Sequence, residues 1–305
     1  MGRTPTYREF LRAKVRLAPR HGFDVAPEEI NPALKDFAKA IVLWAASGGR
    51  RGIFSSFGLH KTSTQIELAR LALKRKIRPL IVVPLGVRHE FFDEAAERFT
   101  GDYAVNLRFI RSTGEVDTDR QDLIYLTNYE SVREGKIDMV LFGFASLDEA
   151  AVLRGFGGTK TFREFMRLFE GVRYRFVATA TPDPNEFIEL LAYAAFLGVM
   201  DVGEAKTRFF KRNSEKADKL VIHPHKEREF WLWVASWALF VRKPSDLGFS
   251  DDGYVMPDID VRWHEVASDH ATAGQERDGQ SRMFRNSAAG IQAAAREKRK
   301  SLPAR

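Results

Sequence analysis

The sequence predicts an α/β protein built on a mostly parallel sheet with helices on both faces. Two observations carry that expectation. From Gly52 to Pro182, apolar runs too short and too β-branched for helices alternate with stretches of three-to-four spacing. These runs also deliver polar residues at their carboxyl ends, the edge at which an open α/β sheet binds ligands.

Residues 1–46 read as a helical N-terminal segment. Tyr7 to Val15 and Pro32 to Ala46 carry apolar residues at helical spacing, with Pro27 and Pro32 as start signals. Residues 47–183 hold the strand and helix alternation. Its first unit is Ile53-Phe54-Ser55-Ser56-Phe57-Gly58-Leu59-His60-Lys61-Thr62, running into the amphipathic stretch Ser63 to Leu73. A short apolar strand, a tight turn at Gly58 and a helix opening on Lys61-Thr62 form the anatomy of a phosphate-binding loop. Main-chain N–H groups and the helix N-terminus face the phosphates, the lysine adds charge, and the hydroxyl holds a magnesium ion. Ser55 and His60 occupy the two glycine places of the strict GxxxxGK[ST] pattern.

Leu80 to Pro84 is the next strand, leading into Pro84-Leu85-Gly86-Val87, and Leu123 to Glu130 is another. The apolar stretch Phe142 to Leu147 delivers Asp148-Glu149. Thr161 to Glu170 has helical spacing, and Phe176 to Pro182 is a strand ending in Thr179-Ala180-Thr181. Residues 184–260 read as a helical, tryptophan-rich subdomain with helices at Asn185 to Leu197 and Glu227 to Val241; the second carries Trp231, Trp233 and Trp237 and is read as core or interface. Residues 261–305 read as a strand, Val261 to Val266, followed by a polar helical segment.

Whole-chain properties narrow the function classes. The 305 residues are 44% apolar, with no run of the roughly 18 to 20 residues needed to span a bilayer and no hydrophobic signal core near the start. A cytoplasmic location is expected. Absence of cysteine excludes a disulfide framework or thiolate metal site. A formal net charge of +7 favours an anionic partner, nucleic acid first.

In a phosphoryl-transfer site, Asp148 acts on the metal's hydration shell and Glu149 orients or deprotonates the attacking water. The competing reading is an acidic pair opening a helix; its place between the phosphate loop and Thr179-Ala180-Thr181 favours catalysis. Thr179 and Thr181 offer hydroxyls able to relay the state of a γ-phosphate. Thr127, Asn128 and Tyr129, and Pro84 and Gly86 through main-chain groups, are candidate contacts to a nucleic-acid backbone. His223 and His225 lack a third ligand at a supportive spacing.

These ordered segments resemble the first RecA-like lobe of superfamily-two helicases of the Swi/Snf-like kind, and more narrowly the helicase half of phage and prophage helicase–DNA methylase proteins. The likeness rests on Phe57-Gly58-Leu59-His60-Lys61-Thr62, Val83-Pro84-Leu85-Gly86-Val87, Leu126-Thr127-Asn128-Tyr129-Glu130, Ser146-Leu147-Asp148-Glu149-Ala150 and Ala178-Thr179-Ala180-Thr181-Pro182. Beyond the lobe it extends to Glu189 to Tyr193, Phe196 to Met200, Phe230 to Ala238 and Pro244 to Phe249. The resemblance implies a RecA-like P-loop NTPase fold. It implies ATP bound at Gly58, Leu59, His60, Lys61, Thr62, Thr179 and Thr181, and Mg2+ held through Thr62 and Asp148. It further implies double-stranded DNA as the partner, a second RecA-like lobe, and a DNA methylase in cis or trans. His60 stands where such helicases usually carry glycine, and Ala38 where they often place an adenine-reading glutamine. After Arg262 no second strand and helix series follows. Since the second lobe supplies the arginine finger, weak turnover by a truncated chain is the expectation. The alternative is a non-catalytic DNA-binding or scaffolding remnant.

Overall fold

The computed structural model describes residues 17–151, 153, 160–181, 187, 190–212 and 220–255. The expected helix at Tyr7 to Val15 and the segment 261–305 lie outside these residues.

In chain order the elements are α1 (Asp36–Gly48), β1 (Arg50–Ser55), α2 (Lys61–Lys74), β2 (Pro79–Val83), α3 (Arg88–Arg98), β3 (Asn106–Phe109), β4 (Leu123–Asn128) and α4 (Tyr129–Arg133). They continue with β5 (Phe144–Leu147), α5 (Lys160–Leu168), β6 (Tyr174–Thr179), α6 (Leu190–Phe196), α7 (Val202–Phe209), β7 (Phe210–Arg212), β8 (Leu220–Ile222), α8 (Glu227–Ala235) and β9 (Ala238–Val241). Seven strands form one sheet in the order β3-β4-β2-β5-β6-β1-β9, and all of its neighbours run parallel. β7 and β8 form a separate antiparallel pair.

Period-two alternation within the strands builds two cores. Ile81 and Val83 of β2 and Ile53 of β1 join the cluster covered by α1, α2 and α3. Leu80, Val82 and Phe54 face the opposite cluster, which is filled by α5 to α8 with Trp233 and Trp237. Strands buried on both faces read as continuous apolar runs, which is why they were visible in the sequence. α1 stops at Gly49, whose φ of 71° is the left-handed cap that glycine accepts without a Cβ clash.

Three elements differ from expectation. Glu227 to Val241 is not one helix: α8 ends at Ala235 and Ala238–Val241 is a strand beside β1. At the break the Ser236 hydroxyl donates to the Trp233 carbonyl at 2.6 Å and accepts the Ala18 amide at 2.8 Å, a local alternative to continued helix. The strand expected to reach Glu130 stops at Asn128, whose side chain accepts the Ser131 amide at 3.1 Å and starts α4. Asn106–Phe109, with its half-polar edge pattern, was not anticipated as a strand.

Candidate functional site

Strand order sets the site. β5, β6 and β1 are consecutive in the sheet, so the turn after Ser55, the end of β6 and Asp148-Glu149 share one carboxyl edge. The register pairs Phe54 with Thr179 and Leu147 with Val177, which brings the three strand ends level.

The loop from Ser56 to His60 enters α2 through two left-handed residues. Gly58 has a φ of 77°, and a Cβ built there would meet nothing within 4 Å. His60, with φ 52° and ψ 37°, adopts a conformation usually left to glycine. Its carbonyl accepts the Thr64 amide at 3.0 Å and the Thr64 hydroxyl at 2.9 Å. Its Nε2 lies 2.8 Å from the Tyr254 hydroxyl, and Phe37 packs against both rings with centroids 5.9 and 5.2 Å away. Burial, helped by Arg98 and Lys35 and opposed by Glu94, pushes the His60 imidazole below its ordinary pKa. Leu59 is buried in the core and fixes the loop's base. The first-turn amides of Lys61, Thr62 and Ser63 have no helical acceptors and, with the helix dipole, favour an anion.

Lys61 Nζ donates to the carbonyls of Ser55 at 2.9 Å and Ser56 at 3.1 Å. Burial lowers its pKa, while Asp148 and Glu149 act in the opposite sense, so the ammonium and the two carboxylates feel one another. Asp148 is tied from several sides. Its amide bonds the Val82 carbonyl at 2.8 Å, its Oδ1 accepts Gln65 Nε2 at 2.8 Å, and its carbonyl accepts the Tyr129 hydroxyl at 2.6 Å. Gln65 is in turn fixed by the Ser146 hydroxyl, which donates to its Oε1 at 2.7 Å. Burial, reinforced by repulsion from Glu149, raises the Asp148 pKa to about 6 against the bond from Gln65 and the charge of Lys61. Glu149 sits at φ 47°, and its Oε1 accepts the hydroxyls of Thr179 at 3.0 Å and Thr181 at 3.2 Å. The Thr181 amide bonds Thr179 Oγ1 at 3.1 Å, so both threonines and the carboxylate form one hydrogen-bonded group.

This donor set suits a magnesium nucleoside triphosphate. Gly58 leaves open space on the loop, and Ser55 Oγ beside it is fully buried without a hydrogen-bond partner. Among the described residues no group of three or more His, Asp or Glu forms a metal cage. A magnesium ion that keeps water and phosphate oxygens in its shell needs few protein ligands, and Asp148 with the half-buried Thr62 of the first turn of α2 could supply them.

Of the expected nucleic-acid contacts, Gly86 is exposed, with open space around it, and Pro84 is half-buried. Thr127, Asn128 and Tyr129 are buried: the Thr127 hydroxyl donates to the Ile110 carbonyl at 2.9 Å, Asn128 caps α4, and Tyr129 holds Asp148. Their side chains are committed internally because β4 is an inner strand between β3 and β2. The rings of His223 and His225 lie 5.2 Å apart, tilted by 47°, and among the described residues they join no group of three or more His, Asp or Glu able to hold a metal.

Sequence reading missed Gln65, Ser146 and Tyr254. A signal existed for Gln65, a polar residue in a helix whose positions 63 to 72 are all buried. Tyr254 is 194 residues from His60 in sequence, and nothing local links them.

The raised Asp148 pKa yields a stability prediction. Between its unfolded value near 4 and its folded value near 6 the native state holds the extra proton, so stability falls as pH rises through that window. D148N keeps an acceptor for Gln65 and removes the buried charge. Relative to the wild type it should gain roughly 2–3 kcal/mol in urea unfolding between pH 4 and pH 8. Parallel pH profiles for the two proteins would refute this.

No protein-family model matches the chain, and neither does any curated protein. Among the matching solved structures is the Sulfolobus solfataricus SWI2/SNF2 ATPase core in complex with dsDNA, at 19% identity and TM-score 0.58, covering 74% of this chain and 48% of that one. The Sulfolobus solfataricus SWI2/SNF2 ATPase core domain matches at 19% identity and TM-score 0.53 over the same shares. The UvsW helicase from bacteriophage T4 matches at 15% identity over 64% of this chain and 66% of that one, with a TM-score of 0.42 that adds no weight. The chain thus spans about half the length of the Sulfolobus core. The likeness shows the fold alone: a seven-stranded parallel sheet flanked by helices, shared with the Sulfolobus solfataricus SWI2/SNF2 ATPase core.

Proposed function

We propose that the chain is the ATP-binding first lobe of a DNA helicase or translocase and works with a second RecA-like lobe. One observation carries the reading: β1, β6 and β5 bring Lys61, Thr179 with Thr181, and Asp148 with Glu149 to one edge, with every carboxylate held by a named donor. In this reading Lys61 and the first-turn amides hold the phosphates. Thr62 and Asp148 hold Mg2+, whose bound form supplies charge neutralisation at the phosphates. Glu149 orients and takes the proton of the attacking water, and Thr179 and Thr181 carry the state of Glu149 into β6. Lys61 exchanges its Ser55 and Ser56 carbonyls for phosphate oxygens when it engages.

Duplex DNA is the proposed partner, met at the turn of Pro84 and exposed Gly86, with the buried Thr127, Asn128 and Tyr129 backing that edge from inside rather than touching the DNA with their side chains. Support comes from the net charge of +7 and from the Sulfolobus core having been solved with dsDNA. A phage or prophage setting beside a DNA methylase, in cis or trans, belongs to the same proposal and rests on the motif resemblance. The second reading, a DNA-binding remnant without turnover, is favoured by His60 at a glycine place.

The deciding experiment is calorimetric titration with ATP and Mg2+. Lys61→Ala is expected to weaken binding roughly 10- to 100-fold, the value of a lost charge-assisted hydrogen bond, with thermal stability retained. Wild-type protein that binds no magnesium nucleotide removes the motor reading and leaves the remnant.

A further inference from the structure

The opposite edge of the sheet, at the amino ends of β1 and β6, carries a second concentration of positive charge that the nucleotide site does not use. Arg50 and Arg175 are register partners on adjacent strands. Their guanidinium nitrogens lie 2.6 and 3.3 Å from the position that a Cβ on Gly198 would take, so the two groups converge above a glycine of φ 64°. Arg173 joins them, its carbonyl accepting Arg50 Nε at 3.1 Å. The segment before α1 is drawn in by close backbone packing of Gly22 on residues 46 to 49 and by the bond from the His21 amide to the Gly48 carbonyl at 3.0 Å. That packing places Arg20 and His21 beside Arg51.

Two of these arginines are buried and have structural duties. Arg175 donates to the carbonyls of Phe196 at 2.6 Å and Val172 at 3.1 Å, and Arg51 to those of Arg50 at 2.9 Å and Pro19 at 3.4 Å. Arg51 Nε remains buried without any partner. The outer cations are different. Among the described residues, no carboxylate forms an ion pair with Arg20, Arg50, Arg51, Arg173 or Arg175, and the guanidiniums of Arg20 and Arg173 and the terminal nitrogens of Arg50 make no hydrogen bond. Burial first, and then neighbouring arginines, disfavour the charged forms of these groups. Burial and then Arg50, Arg51 and Arg173 push His21 down, burial and Arg20 push Arg51 to about 10, and burial and Arg50 push Arg175 to about 10, with Glu170 alone acting the other way. Like charges held this closely, with Glu170 acting only on Arg175 and no carboxylate in ion-pair contact among the described residues, are an arrangement that a bound anion would relieve.

We propose that Arg20, His21, Arg50 and Arg173 form a second contact for the phosphodiester backbone of duplex DNA, separate from the nucleotide-bearing edge. The six-residue strand β1 sets the two edges about 20 Å apart. Several cations spread along an open edge fit a repeating backbone better than one free phosphate, which calls for an enclosed cradle. This rests on the duplex-DNA reading only for the identity of the anion.

The test is fluorescence anisotropy with a labelled duplex across a salt series, using the full chain. Each lost phosphate contact should make the slope of log Kd against log salt shallower by about 0.9, so Arg20→Gln should lower it by about 0.9 and the Arg50→Gln, Arg173→Gln double variant by about 1.8. Arg20 is exposed and its replacement leaves the folded core untouched, which guards against a folding artefact. Slopes equal to wild type in both variants overturn the site while leaving the motor reading intact. Absence of duplex binding by the wild type overturns it as well, as does displacement of the duplex by inorganic phosphate at matched ionic strength, which would identify a free-phosphate pocket. Nucleotide binding indifferent to Lys61→Ala, with the arginine slopes behaving as expected, would sink the motor reading and keep this site.

Discussion

Glu149→Gln is expected to lower duplex-stimulated ATP hydrolysis by about 10²–10⁴-fold, the usual contribution of a positioned general base. Nucleotide affinity should stay within a few-fold of wild type. The substitution is informative because it preserves geometry. Glu149 Oε1 acts as the acceptor for both Thr179 and Thr181, and a glutamine Oε1 accepts the same two hydroxyls. What disappears is the charge and the ability to take a proton. Phosphate release followed under saturating ATP, alongside direct binding, separates the two effects. Hydrolysis that survives the substitution would move catalysis to another residue or to a contaminant.

The largest stability effect is expected at Glu67. Its side chain is fully buried on α2, and Arg70 beside it is 4% exposed. Glu67 Oε1 accepts Arg70 Nη2 at 2.6 Å and the Asn31 amide at 2.9 Å, Oε2 accepts Arg70 Nε at 2.8 Å, and Arg70 continues to the Glu29 carbonyl at 2.6 Å. This network fastens the helix that opens on Lys61 to the segment preceding α1. Glu67→Ala strands a buried guanidinium and a buried amide and should cost about 3–5 kcal/mol in urea unfolding. Combining it with Arg70→Met should recover much of that loss, because a buried pair replaced by apolar groups is often near neutral. A single-variant cost below about 1 kcal/mol would mean the pair is solvated in solution.

Much of the sheet was legible because its inner strands are buried on both faces and therefore appear as short apolar runs between helical stretches. The edge strands were not. Asn106–Phe109 alternates exposed and half-buried positions, and Ala238–Val241 follows so closely on a tryptophan-bearing helix that its spacing continued the helical pattern. The strand, turn and helix around Gly58, Lys61 and Thr62 were recognisable despite two missing glycines. How His60 replaces one of them was not, since its left-handed backbone goes with a ring held by Tyr254 and Phe37 from distant parts of the chain.

By itself the amino-acid order determined which residue types stand at the ends of strands, because strand burial and helix periodicity are local patterns written in consecutive side chains. Which of those ends meet was decided only in three dimensions. The order β5-β6-β1 joins residues 55, 148 and 179 through pairings across long sequence separations, and it turns the hydroxyls of Thr127 and Tyr129 inward while leaving Gly86 outside. Hydrogen bonds such as Gln65 to Asp148 and Thr179 to Glu149 depend on that adjacency, and no short-range propensity encodes it.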